Sequence, residues 1–181
     1  PMTPNFLRRH RVVGLDVGHG SVKALAVERR GSQEIVVGRG LTRLEGNPDS
    51  RQVAQAIHAA LAAAGADGQP VIAAVGGPEV VIRQVSLPPV PLARILPALE
   101  IQHRELGLLP PAESVMDAQV LRRAKDGVTS EILAICAPRV LVDERTKLLQ
   151  QAGVRLQTLD VEPLALLNAA IYITQLEPGE R

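Results

Sequence analysis

Hydrophobic and polar positions alternate along the first part of the chain and then change to a helical spacing. The alternation predicts three consecutive strands, near 12–17, 22–29 and 34–42. Apolar residues then recur at the one-face spacing of a helix that ends near Ala64. The segment Asn47–Ser50 offers this helix a cap, with Pro48 placed for its first turn.

The rest of the sequence alternates short apolar runs with further helical patterns. The nearly continuous apolar run Val71–Val75 predicts a strand that is buried on both faces. The elements predicted after it are a strand near 79–86, a helix from about 91 to 106, strands near 114–122 and 130–136, a helix that opens at Pro138, a strand over 156–161 and a helix from 162 to about 175. Pro97 should kink or restart the helix that contains it.

This order predicts an α/β protein with one inserted unit. Residues 1–77 and 138–176 hold antiparallel-type strands followed by strands that alternate with helices, and they are predicted to form a discontinuous core. The strand–helix–strand–strand block at 78–137 is predicted to be a small inserted subdomain, and 177–181 a tail or linker.

Composition argues against several classes of partner. With 20 basic and 19 acidic residues the formal charge is +1, and one Phe and one Tyr without Trp offer few stacking surfaces, so we expect no nucleic-acid partner. The single cysteine, Cys136, cannot form an internal disulfide and indicates a reducing compartment.

No apolar run reaches the length of about 18 residues that a membrane span requires, which makes the cytoplasm the expected location. Pro1 before Met2 is typical of a cleaved tag, so we expect a truncated chain.

The candidate chemistry lies in the turn between the first two predicted strands. An apolar strand delivers the Asp16 carboxylate to its end, and the next strand carries Lys23. The turn between them contains Gly18, His19, Gly20 and Ser21. Glycines allow positive φ, so successive N–H groups can form a concavity for phosphate oxygens, which Lys23 would reinforce while Asp16 holds a hydrated Mg²⁺. The alternative is a plain tight hairpin with a solvated aspartate.

This turn differs from two other phosphate-binding loops. A Walker loop and a Rossmann fingerprint both open a helix, whereas a strand follows these glycines. An Asp-x-Gly turn with a lysine seven residues after the aspartate, as Lys23 stands to Asp16, resembles the first phosphate loop of the actin-like ATPase superfamily.

Three stretches narrow the resemblance to one family. They are Gly14–Lys23, Ala73–Ile82 and Leu159–Leu166. Through them the whole chain is similar to the N-terminal half of the PilM family, the actin-like cytoplasmic proteins of type IV pilus assembly machines. The resemblance implies an actin-like (ribonuclease H-like) half with an inserted subdomain. FtsA has its insertion at the same place, so element order alone does not separate the two families.

The resemblance also implies a function. PilM-like proteins bind ATP and Mg²⁺ between two halves and capture the cytoplasmic N-terminal peptide of an inner-membrane partner, PilN. This chain would then be a scaffold of pilus assembly that is cytoplasmic and peripheral at the inner membrane through a PilN-like partner. An FtsA-like cell-division protein, or another ATPase or kinase of the superfamily, is the alternative.

The nucleotide site follows residue by residue from the same resemblance. Asp16 matches the aspartate that positions Mg²⁺ through water, and Lys23 matches the lysine near the phosphates. The phosphate turn corresponds to Gly18, Gly20 and Ser21, with His19 in place of the usual small polar residue. Glu162 matches a glutamate that helps place the attacking water, and a simple helix-N-terminal charge is an equal alternative. Asp160 belongs either to the cleft or to the cap of the next helix.

The resemblance implies that the family's second phosphate loop and adenine pocket would lie beyond Arg181. A nucleotide that binds with micromolar affinity has a binding free energy of about −8 kcal/mol. If half of its contacts are missing, the binding free energy weakens to about −4 kcal/mol, which is millimolar affinity. We therefore expect neither tight ATP binding nor hydrolysis by this chain alone. We also expect self-association through the exposed cleft face, with the 162–175 helix as the element that pairs.

Overall fold

The computed structural model describes residues 10–31, 33–88, 90–123 and 129–174, and these form eight strands and four helices. In chain order they are β1 His10–Val17, β2 Ser21–Arg30, β3 Gln33–Arg43, α1 Ser50–Ala63, β4 Val71–Val75, β5 Val81–Leu87, α2 Leu92–Ile101, β6 Ser114–Arg122, β7 Ser130–Pro138, α3 Arg139–Gln151, β8 Leu156–Val161 and α4 Glu162–Thr174. No helix among the described residues has the length and apolar character needed to cross a bilayer.

The chain divides into two compact units. One is formed by residues up to Val75 together with those from Thr146 onward, and the other by Gly76–Arg145. Helix α3 spans the boundary between them in sequence.

The first unit is built on a five-stranded sheet with the strand order β3-β2-β1-β4-β8. Strands β1, β2 and β3 are antiparallel neighbours, whereas β4 runs parallel to β1, and β8 runs parallel to β4. Three antiparallel strands followed by two parallel ones confirm the predicted α/β class. Since β1, β4 and β8 point the same way, their carboxyl ends meet at one edge of the sheet.

One face of this sheet is covered by α1 and holds the core of the unit. Its fully buried members include Val13, Val22, Ala26, Ile57, Ala60 and Leu149. Gly38 and Gly40 lie where β3 passes under α1, and a Cβ on either would overlap a backbone carbonyl oxygen of the helix, that of Ala64 or of Ala60. Only glycine fits at these two positions, because the helix backbone approaches the strand too closely for any side chain.

Helix α1 begins with a capping box at Asp49. The Asp49 Oδ1 accepts the N–H of Gln52 at 2.8 Å, and the Gln52 Oε1 accepts the N–H of Asp49 at 2.8 Å. The prediction that Pro48 occupies the first helical turn is wrong, because this residue precedes the cap. Asp49 occupies the N-cap because its side chain accepts the Gln52 N–H, which would otherwise lack a partner.

The second unit is a three-stranded antiparallel sheet with the order β5-β7-β6, and α2 packs against it. Its strand–helix–strand–strand sequence is the one predicted for the insertion. The buried side chains at its centre include Leu87, Leu99, Ile132 and Cys136. Burial raises the pKa of the Cys136 thiol, so this group is neutral at physiological pH.

Helix α2 is shorter than predicted. It ends at Ile101 rather than near residue 106, since residues 102–107 form successive turns that close at Gly107, whose φ is 65°. Pro97 lies inside a single helix, so of the two predicted outcomes, a kink or a restart, the restart does not occur.

Candidate functional site

A groove of about 1150 Å³ lies on the face of the five-stranded sheet opposite α1, which we call the open face. Strand β1 contributes Asp16 to its lining, β2 contributes Lys23, β8 contributes Asp160, and α4 begins in it with Glu162. The parallel direction of β1 and β8 explains why acids that are distant in sequence meet at one edge. Three residues of the predicted nucleotide site, Asp16, Lys23 and Glu162, therefore line the same groove.

Asp16 and Lys23 form an ion pair in the groove. They are cross-strand partners of β1 and β2, and the Lys23 Nζ donates to the Asp16 Oδ2 at 2.7 Å. Their side chains are 51% and 57% exposed, so the pair stabilises the fold by no more than about 1 kcal/mol. Either group can therefore exchange its partner for a ligand at small cost.

The turn between β1 and β2 is held by two backbone hydrogen bonds, one within the turn and one from the residue after β3. The Gly18 N–H donates to the Ser21 carbonyl oxygen at 3.0 Å, and the Gly20 carbonyl accepts the N–H of Leu44 at 3.0 Å. Neither glycine has a positive φ, so the expectation that they supply left-handed conformations is wrong. Gly18 is favoured for another reason, since a Cβ there would lie 3.3 Å from the Ser21 carbonyl oxygen. One N–H that was expected to face a phosphate is thus used inside the turn.

The other predicted residues lie beside the groove. Gly20 and Ser21 line a neighbouring depression of about 510 Å³, together with Lys23 and Arg43. Lys23 lines both spaces and so connects them. His19 is exposed and, like Gly18, lines neither of the two.

Two charged residues of the groove were not assigned to the site from the sequence. The Asp160 Oδ1 accepts the N–H of the adjacent Val161 at 2.8 Å rather than capping the next turn of α4, and this placement favours the cleft over the cap. Arg39 is the second basic residue of the groove lining. Arg39 lies in the groove because it pairs with Leu25 of β2. The alternation of residues along β3 does not predict this register.

The donor groups of the groove suit hydrated Mg²⁺ bound together with phosphate better than a bare metal ion. Among the residues that the structure describes, no three His, Cys, Asp or Glu side chains are grouped closely enough to hold a metal ion. Mg²⁺ usually keeps several waters and takes one or two carboxylates besides phosphate oxygens. Asp16 fits such a partial ligand set, and Lys23 and Arg39 supply the positive charge that phosphate requires.

Apolar side chains also remain uncovered on this side of the sheet. Strand β4, predicted to be buried on both faces, is buried on one, whereas Ile72 and Ala74 are half-buried and line the groove. Leu41 is 61% and Leu166 of α4 is 73% exposed. A helix as apolar as α4 on all sides is normally buried, so the open face has the character of a surface that meets another body.

The α/β fold with its inserted unit is shared by solved structures. A PilM–PilN type IV pilus biogenesis complex matches 90% of this chain and 50% of its own, with a TM-score of 0.76 and 21% identity. The cytoplasmic domain of EpsL, an inner membrane component of the type II secretion system of Vibrio cholerae, matches 83% of this chain and 57% of its own, with a TM-score of 0.52 and 12% identity.

These likenesses confirm the fold that the sequence resemblance implied. The chain spans between 50% and 57% of the length of these two structures. No protein-family model and no curated protein matches the sequence.

Proposed function

We propose that this chain is one half of an actin-like scaffold of a pilus or secretion assembly machine, held at the cytoplasmic side of the inner membrane by a PilN-like partner. The observation that carries the proposal is the TM-score of 0.76 over 90% of the chain against a PilM–PilN complex. The EpsL domain belongs to another inner-membrane machine, which supports the wider class of assembly scaffold.

The partner contact proposed here is with the cytoplasmic N-terminal peptide of that PilN-like protein. A scaffold needs no catalytic base, and the open apolar surface of the fold is the kind of surface that binds other proteins. The role proposed for this chain is therefore the binding of a protein partner.

The groove on the open face is the proposed half-site for Mg²⁺ and ATP in the whole protein. Asp16 would hold the ion through water, Lys23 would contact the phosphates from between the two depressions, and Glu162 would face the attacking water. Gly20 and Ser21 border the neighbouring depression, which shares Lys23 with the groove, while His19 lines neither space. With half of the contacts, the affinity of this chain for ATP should be near millimolar, and it should not hydrolyse ATP.

A peptide-binding experiment tests the scaffold role. A synthetic peptide with the sequence of a PilN-like cytoplasmic N terminus should bind the chain saturably in calorimetry. A scrambled peptide of the same composition is the matched control and should not bind. Equal binding of both peptides, or binding of neither, would contradict the proposed partner.

A further inference from the structure

Strand β3 is the outer strand of the five-stranded sheet, and it is 11 residues long. On its outer side no strand from the described part of the chain pairs with it. Such an edge presents backbone N–H and C=O groups that can pair with a further strand. Gln33–Arg43 contains neither proline nor lysine, two residues that block an edge, although it carries a bulge at Val37.

Five side chains of β3 project from the open face of the sheet. They are Glu34, Val36, Arg39, Leu41 and Arg43. Their partners on β2 alternate with Val22, Ala24 and Ala26, which are buried under α1. A bulge between Val36 and Gly38 keeps Val36 and Arg39 on one face although they are three residues apart. All five are exposed, Val36 by 58% and Leu41 by 61%.

The row of side chains on β3 of one copy is complementary to the same row on a second copy that runs in the opposite direction. The bulge makes Val37 an extra residue, so Glu34 and Arg43 each lie four strand positions from Arg39. In an antiparallel pair of β3 strands related by a two-fold axis at Arg39, Glu34 of each copy therefore lies opposite Arg43 of the other. In the same register Val36 lies opposite Leu41, so an acid meets a base and an exposed apolar residue meets another. The two-fold axis produces each of these favourable pairs twice.

We propose that the β3 edges of two copies of this chain pair in that antiparallel register and join their sheets into one continuous sheet. The occupant of the edge is thus a second copy, selected by the opposite charges at the two ends of the strand. This interface requires neither the PilN-like peptide nor ATP and does not rest on the proposed function, although Arg39 and Leu41 also line the groove proposed for ATP.

Arg39 opposes this pairing because it meets its own copy at the axis. Like charges directly opposite each other across two strands are destabilising. Two Glu34–Arg43 pairs and two Val36–Leu41 pairs act against that single repulsion, so the dimer is weak and reversible. Neutralising Arg39 should therefore tighten it.

Disulfide trapping tests the register. The Cα atoms of directly opposite residues are about 4.5–5.5 Å apart, which suits a disulfide. Arg39→Cys should form a disulfide-linked dimer under mild oxidation, whereas Glu34→Cys should not, because its two copies lie roughly 25 Å apart along the strands. A mixture of Glu34→Cys and Arg43→Cys proteins should form the mixed dimer. The native Cys136 is fully buried and does not compete.

Charge reversal tests the energetics by sedimentation equilibrium, with circular dichroism to check folding. Glu34→Arg should raise the dissociation constant about tenfold or more, since two attractive pairs become repulsive. The double variant Glu34→Arg with Arg43→Glu should restore wild-type association, and Arg39→Gln should lower the dissociation constant.

Three results would overturn the proposal. One is a wild-type protein that stays monomeric at millimolar concentration, and another is cross-linking of Arg39→Cys no faster than that of Glu34→Cys. The third is association that is insensitive to Glu34→Arg and abolished by Leu166→Lys, which would assign self-association to α4 instead.

Discussion

The two faces of the five-stranded sheet differ in almost every physical respect. The face under α1 is apolar and closed, with Val13 and Val22 fully buried and with Gly38 and Gly40 admitting the helix backbone. The open face mixes charged groups such as Asp16 with exposed leucines. A face that excludes water must be packed tightly, whereas a face that binds ligands must leave its charges accessible. The closed face thus stabilises the sheet, and the open face carries the groove that is proposed to bind ligands.

The largest expected effect comes from the covered face. Ile57 of α1 is fully buried, and Ile57→Ala should lower the free energy of unfolding by about 3 kcal/mol, because it removes buried methyl groups and leaves a cavity. The matched control is Leu25→Ala on the open face, where the side chain is 45% exposed and the loss should stay below about 1 kcal/mol. Urea unfolding followed by circular dichroism measures both. Equal losses would remove the contrast between the faces.

A second pair of variants compares glycines on opposite faces. Gly40→Ala should lower the free energy of unfolding by about 2 kcal/mol, since its new Cβ would push α1 away from the strand. Gly14→Ala should change it by less than about 0.5 kcal/mol, because a Cβ there meets nothing within 4 Å. Urea unfolding and hydrogen exchange of the α1 amides report the two outcomes. A tolerated Gly40→Ala with a disruptive Gly14→Ala would invert the assignment of covered and open faces.

Local patterns were enough to predict most of the fold. The strands Val71–Val75 and Leu156–Val161 have the predicted bounds, because each is a short run bracketed by breaks such as Pro70 and Gly153. The order of elements, including the inserted unit, follows from the same periodicities. Of the residues that the resemblance assigned to a nucleotide site, Asp16, Lys23 and Glu162 line one groove.

The features that were missed depend on contacts between segments far apart in sequence. Nothing in β3 itself marks Gly40 as the place where α1 approaches, since the clash involves the carbonyl of Ala60. Arg39 reaches the groove only because a bulge beside Val37 shifts the register of β3 on β2. The predicted conformation of the turn at Gly18 was wrong because the Gly18 N–H donates to the Ser21 carbonyl oxygen, and composition does not predict this hydrogen bond.

A third comparison uses the ion pair of the open face, where a small effect on stability should accompany a larger effect on binding. Lys23→Met breaks the ion pair with Asp16, yet the free energy of unfolding should fall by less than about 1 kcal/mol, because both side chains are about half exposed and screened. The same variant should weaken Mg-ATP binding more than about tenfold in a chemical-shift titration, since a charge-assisted hydrogen bond to phosphate is lost. Lys147→Met, an exposed lysine of α3, is the control and should change neither quantity. If Lys23→Met is destabilised and its ATP-induced chemical shifts are unchanged, the ion pair is a structural element and Lys23 does not belong to the half-site. Low-micromolar ATP binding by the unmodified chain would contradict the half-site itself.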